Sequence, residues 1–164
     1  MDKISVKRLE KIHPKLKQEV KQICDELDVR NLSVRFTDVL RTFAEQDDLY
    51  AQGRTKKGKI VTNARGGQSY HNYGLAIDFC LLKPCSNGQQ EAIWDMDADL
   101  NANTKSDWQE VVFVFKLFGW EWGGDWVRFQ DTPHFQKTFG FSTRELLKKV
   151  NNGEVDANGY VAIP

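Results

Sequence analysis

The sequence has no net charge, no long apolar run and few thiols or imidazoles, and each shortage removes a class of function. Lys+Arg and Asp+Glu both number 23, so no overall field draws the chain toward nucleic acid or an anionic membrane surface. No window reaches the roughly 18 to 20 apolar residues that span a bilayer, so membrane insertion is not expected. Met1-Asp2-Lys3-Ile4-Ser5 is not followed by the apolar stretch of a secretory signal. The expectation is synthesis in the cytoplasm without a signal peptide, any substrate outside being reached by another route. Cys24, Cys80 and Cys85 cannot all pair within one chain, and free thiols are expected. There is no internal repeat and no linker.

What is present is ordinary in bulk and specific in detail. With 164 residues, 40% hydrophobic and 28% charged, the chain is sized for one globular domain with a sizeable core. A short helix is expected over Ser5–Lys11 and a second from Pro14, with Leu16, Val20, Ile23, Cys24 and Leu27 as its buried stripe. Val34, Phe36 and Asp38 alternate as a half-buried strand does, and Ala44–Ala51 reads as a helix. Residues 52–68 read as a polar loop, and Leu75–Leu82 is apolar on both faces, as suits a central strand. Residues 83–105 look irregular. Ser106 opens a helix that Gly119 stops, and Ser142-Thr143-Arg144-Glu145 is a capping box for the last one. Trp120–Trp122 and His134–Gln136 read as short strands. These elements make an α+β domain over residues 1–150, with residues 151–164 as an uninformative C-terminal tail.

Two clusters carry chemistry. His71 and Asp78 lie in Ser69-Tyr70-His71-Asn72-Tyr73-Gly74-Leu75-Ala76-Ile77-Asp78, and Asp131-Thr132-Pro133-His134 follows far downstream. Two imidazoles, a carboxylate and a spare carboxylate are the inventory of a catalytic zinc hydrolase: three ligands, an open position for water and a base. Each residue alone has a plainer reading. His71 and Asp78 could be a loop histidine and a strand carboxylate in a salt bridge, His134 a core histidine and Asp131 a turn residue. Against the first stands the setting, because Asp78 lies in the most apolar strand, where an unpaired carboxylate costs several kcal/mol. Only three histidines exist, and two fall in these clusters. The third, His13, reads as a cap or surface residue.

The combination Ser-x-His-x-x-Gly-x-Ala-x-Asp at 69–78 with Asp-x-x-His at 131–134 resembles the zinc peptidases that cut bacterial cell-wall peptides. That group contains D-alanyl-D-alanine carboxypeptidases and the L-alanyl-D-glutamate endopeptidases of phage endolysins. Arg41-Thr42-Phe43-Ala44-Glu45-Gln46-Asp47-Asp48-Leu49-Tyr50-Ala51-Gln52-Gly53-Arg54-Thr55 and Ile60-Val61-Thr62-Asn63-Ala64 look most like the endopeptidase branch. The resemblance covers about residues 5–140 and implies a small antiparallel sheet flanked by helices, as in the Hedgehog/DD-peptidase group. It places the Zn2+ ligands on His71, Asp78 and His134, the catalytic acid on Asp131, a substrate-side arginine on Arg41, and further substrate contacts on Gln46 and Ser69. The fork of donors on Arg41 could hold a carboxylate or a developing oxyanion. From spacing alone, Arg41 could equally be a helix-start partner of Glu45.

The implied partner is the peptidoglycan stem peptide, met by a monomer acting at the cell wall, with the L-alanyl-D-glutamate bond as the expected cleavage point. A D-alanyl-D-alanine carboxypeptidase and a non-catalytic zinc-stabilised wall-binding module are the alternatives. The separate wall-binding module that endolysins of this group often carry is not visible here. Strand alternation puts Cys80 on the Asp78 face, as a small core residue or as a thiol near the metal. The basic loop Arg54–Lys59 reads as a solvated loop or a contact for anionic wall polymers.

Overall fold

A computed structural model describes residues 1–164. The stripe of Leu16, Val20, Ile23, Cys24 and Leu27 does form one buried helical face, on α2 (Lys17–Val29) and the single 3₁₀ turn before it. It follows α1 (Lys3–Leu9), which Asp2 caps through the Ser5 N–H, and precedes β1 (Val34–Asp38). Thr42 and Glu45 form a reciprocal capping box that starts α3 (Phe43–Ala51). The chain then reaches β2 (Ala76–Pro84), β3 (Gln90–Ile93), α4 (Asp107–Leu117), β4 (Glu121–Trp122), β5 (His134–Gln136) and α5 (Thr143–Asn151).

The strands form one antiparallel sheet in the order β1-β2-β5-β4, with β3 on the far end of β2. This is the α+β arrangement expected, with β2 at its centre. Alternation along β2 divides the protein. Ile77, Phe79 and Leu81 belong to the main core with α2 and α4, whereas Asp78 looks out from the other face. Phe135 is fully buried between His134 and Gln136 and stacks 4.0 Å from Phe115 and 5.3 Å from Phe79. Phe135→Ala removes that ring, and a loss of about 3–5 kcal/mol in urea unfolding is expected.

Three expectations need correction. Residues 83–105 include a strand, β3, which was not legible because Gln90-Glu91-Ala92 is exposed and has no apolar face. Of the two readings of His13, the cap holds and the surface one does not: its Nδ1 accepts from the Lys15 N–H at 3.3 Å, while the ring is buried with its Nε2 2.9 Å from the Val161 carbonyl. The segment beyond residue 150 is no loose tail. Val161 and Ile163 lie in the core, and the Ala162 N–H donates to the Glu154 carbonyl at 2.8 Å. Residue 150 is therefore not a packing boundary. No helix is long and apolar enough to cross a membrane.

Candidate metal centre

Strand register builds most of the site. Asp78 on β2 lies directly opposite His134 on β5 and, across a bulge in β1, opposite Asp38. His71 arrives on a 3₁₀ turn, Tyr70–Tyr73, capped by the Ser69 hydroxyl. That turn ends at Gly74 in the left-handed conformation, φ 66°, and a Cβ there would sit 2.9 Å from the His13 amide nitrogen. A glycine is therefore required for the chain to turn from His71 into β2.

His71 Nε2, His134 Nδ1 and an Asp78 oxygen all lie within 4.8 Å of one another. His71 Nε2 is 3.1 Å from Asp78 Oδ1 and 3.2 Å from His134 Nδ1, which is itself 3.0 Å from the same Oδ1. The outer nitrogens assign the tautomers: His71 Nδ1 faces the Val39 carbonyl at 3.0 Å, and His134 Nε2 faces Gln136 Oε1 at 3.1 Å. Both outer nitrogens then carry protons, and both inner nitrogens turn lone pairs toward the carboxylate. Three converging electron-pair donors with oriented outer hydrogen bonds are what a divalent transition metal requires, so the residues fit one.

Charges reinforce the arrangement. When the inner nitrogens are protonated instead, burial alone would raise the Asp78 carboxyl, but the His71 charge and hydrogen bonds from both imidazoles hold it well below the usual carboxylate range. Burial lowers His71, and the Asp78 charge more than offsets it, so its pKa is raised. For Asp131, burial and then the Asp78 charge push the carboxyl up, against His134, His71 and Arg41.

A cleft of about 540 Å³ opens over these residues, lined by Arg41, Ser69, Trp126, Phe129 and Asp131 among others. The Trp126 ring lies 5.2 Å from that of His134. Arg41 is half-buried and anchored, its Nε donating to Asp38 Oδ2 at 3.0 Å, one Nη2 hydrogen to the same oxygen and one Nη1 hydrogen to Gln46 Oε1 at 2.7 Å. Three of its five donors are thus committed and two remain for a ligand. Nη2 also stands 3.9 Å from Asp78 Oδ2. The alternative partner Glu45 instead closes the α3 capping box.

Gln46 does not face the cleft as a substrate contact. It is fully buried, with its oxygen on Arg41 and its nitrogen donating to the Ala64 carbonyl at 2.8 Å, so it holds Arg41 in place. Ser69 does line the cleft, and its oxygen accepts from the His71 N–H at 3.3 Å, leaving its own O–H to donate. Cys80 is fully buried, and the charges acting on it are those of Arg35, Asp2 and Arg8. It sits opposite Arg35 on β1 and is not one of the clustered donors. In the basic loop, Arg54 donates to the Tyr50 and Thr62 carbonyls and Lys56 pairs with Asp48 at 2.9 Å. Two of its cations are thereby engaged within the fold.

Sequence reasoning passed over Asp38, Gln136, Asn72 and Trp126. The first two carried a signal, because Gln136 shares a strand face with His134 and Asp38 ends an alternating strand three residues before Arg41. Asn72, whose amide donates to the Arg41 carbonyl at 2.9 Å, and Trp126 had none.

Sheet, cluster and cleft fit a metal-dependent hydrolase with two ligands on paired strands and the third on the turn before them. Comparison with known proteins then gives the family. A family profile described as D-alanyl-D-alanine carboxypeptidase matches residues 62–137. A peptidoglycan L-alanyl-D-glutamate endopeptidase of Bacillus subtilis, CwlK, is 54% identical over 125 residues, 76% of this chain and 72% of that protein. An L-alanyl-D-glutamate peptidase of a Listeria phage is 31% identical over 100 residues, 58% of this chain and 32% of that enzyme. The crystal structure of a Serratia marcescens L-Ala D-Glu endopeptidase, ChiX, shares the fold with TM-score 0.54, covering 85% of this chain and 90% of that one at 23% identity. The chain belongs to this family of metal-dependent peptidases.

Proposed function

We propose that this protein is a zinc peptidase that hydrolyses the L-alanyl-D-glutamate bond of peptidoglycan stem peptides, with residues 1–164 acting as one catalytic unit and as a monomer. The observation that carries the reading is the inward-facing His71, Asp78 and His134 triad beneath a cleft that also holds Arg41 and Asp131. The strong likeness to the Bacillus endopeptidase supports the choice of bond.

His71, Asp78 and His134 would hold the zinc, which when bound polarises a carbonyl and brings the pKa of water near about 7. Asp131 takes the proton from the attacking water at its carboxylate and returns it to the leaving amine nitrogen, which becomes the free amino group of D-glutamate. Arg41 presents its two uncommitted N–H groups to the carbonyl oxygen as charge develops there. Ser69 donates its O–H to the substrate backbone, and Trp126 shields one side of His134 from solvent. Digestion of purified cell walls tests the reading: solubilisation should stop with chelator and return with zinc, and chelator-insensitive digestion would refute it.

Two further variants separate positioning from chemistry. Gln136 orients His134 and is itself held by Glu121, to which its Nε2 donates at 2.8 Å. Gln136→Ala should weaken zinc binding by about 10- to 100-fold, read by competition with a zinc indicator. Gly123 lies against Asp131: it accepts the Asp131 N–H at 3.1 Å, and a Cβ on it would stand 2.4 Å from the Asp131 carbonyl oxygen. Gly123→Ala must shift the Asp131 backbone and should lower kcat by about 10²-fold while zinc content stays stoichiometric.

A further inference from the structure

The segment leading from β3 into α4 reads Asp99-Leu100-Asn101-Ala102-Asn103-Thr104-Lys105-Ser106-Asp107-Trp108-Gln109-Glu110. Side-chain oxygens fall on its first, third, fifth, ninth and twelfth residues, the last two of these within the first turn of α4. This is the spacing of a twelve-residue calcium loop, in which the seventh residue lends its backbone carbonyl and the twelfth a carboxylate. The sixth residue of such a loop turns sharply and is ordinarily glycine. Here Thr104 makes the left-handed turn, φ 70°.

Spacing and turn alone would describe an acidic surface loop; Asp107 makes it more. Asp107 is 2% exposed, and its Oδ2 accepts from the Leu100 N–H at 3.0 Å, so the carboxylate faces into the loop. Its Oδ1 is buried with no hydrogen-bond partner, and no Lys or Arg pairs with it. An uncompensated buried carboxylate oxygen is costly, and a cation is the natural compensation. Burial, with the Asp99 and Glu110 charges nearby, pushes the Asp107 carboxyl up. The loop is wrapped by its own hydrogen bonds. Asp99 accepts from the Asn103 and Thr104 amides at 3.0 and 2.9 Å, and the Asn103 and Asn101 side chains donate to Glu110 Oε2 at 2.8 and 3.3 Å.

We propose that residues 99–110 bind one calcium ion through side-chain oxygens of Asp99, Asn101, Asn103, Asp107 and Glu110 and the carbonyl of Lys105. An all-oxygen set of six or more ligands on a loop suits calcium; magnesium demands a tighter octahedron and retains its water. The site is separate from the His71, Asp78 and His134 cluster, whose nitrogen donors suit a transition metal. Trp108 follows Asp107 and packs 4.4 Å from Phe79, so the ion fastens the start of α4 against the central strand.

The test is calcium titration of the zinc-loaded full chain by calorimetry, with melting followed in parallel and terbium luminescence sensitised through Trp108. One site per chain with Kd of about 10⁻⁵ to 10⁻³ M is expected. Melting should rise by about 5 °C in about 10 mM calcium. Asp99→Asn and Glu110→Gln change surface carboxylates to neutral isosteres, and each should weaken binding at least about tenfold without changing zinc content. Absence of both heat and melting shift, unchanged affinity in both variants, or equal stabilisation by magnesium would overturn the proposal.

Discussion

Asp131→Asn should retain one zinc per chain and lose about 10²- to 10⁴-fold in kcat, the range expected when a general base is removed. The substitution keeps the shape of the side chain and the backbone bonds that fix it, from the Asp131 N–H to the Gly123 carbonyl and from the His134 N–H to the Asp131 carbonyl. Only the proton acceptor is lost. Zinc content by elemental analysis and turnover on a synthetic stem peptide are the two readings needed. Ordinary turnover would remove Asp131 from the chemistry, whereas loss of zinc together with turnover would make it a structural residue of the site.

His71→Ala should have the complementary and larger effect, with neither stoichiometric zinc after dialysis nor measurable hydrolysis. Two donors cannot close a catalytic zinc site that uses three protein ligands and an open position. The Val39 carbonyl also loses its only partner from the imidazole, and His134 and Asp78 are left facing one another. Circular dichroism should still report a folded chain, because the core of Ile77, Phe79, Phe115 and Phe135 lies on the opposite face of the sheet. Retained zinc in this variant would contradict the ligand assignment.

The contrast between these variants and Gln46 shows where a sequence can be read and where it cannot. His71, Asp78, Asp131 and His134 were legible because rare residue types sat in short motifs, and because a carboxylate inside an apolar strand demands a partner. The central strand, α2 and the capped helices were legible from period and caps. The burial of Gln46 behind Arg41 was not legible, because a buried amide looks like any other glutamine until its partners, Arg41 and the Ala64 carbonyl, are known. β3 and the packed C-terminal segment were hidden for a related reason. Exposed strand residues and two isolated apolar side chains, Val161 and Ile163, have no periodicity to reveal them. Asp107 looked like a helix-start residue, and only its buried, unpartnered oxygen separates it from one.

Mass spectrometry of stem peptides digested by the zinc-loaded protein tests the central claim most directly. The expected products are a fragment ending in the L-alanine carboxylate and a fragment beginning with the free amine of D-glutamate. Release of D-alanine with the alanyl-glutamate bond intact would contradict the proposed specificity while leaving the zinc chemistry standing. No cleavage by a protein that holds its metal would contradict the peptidase reading itself.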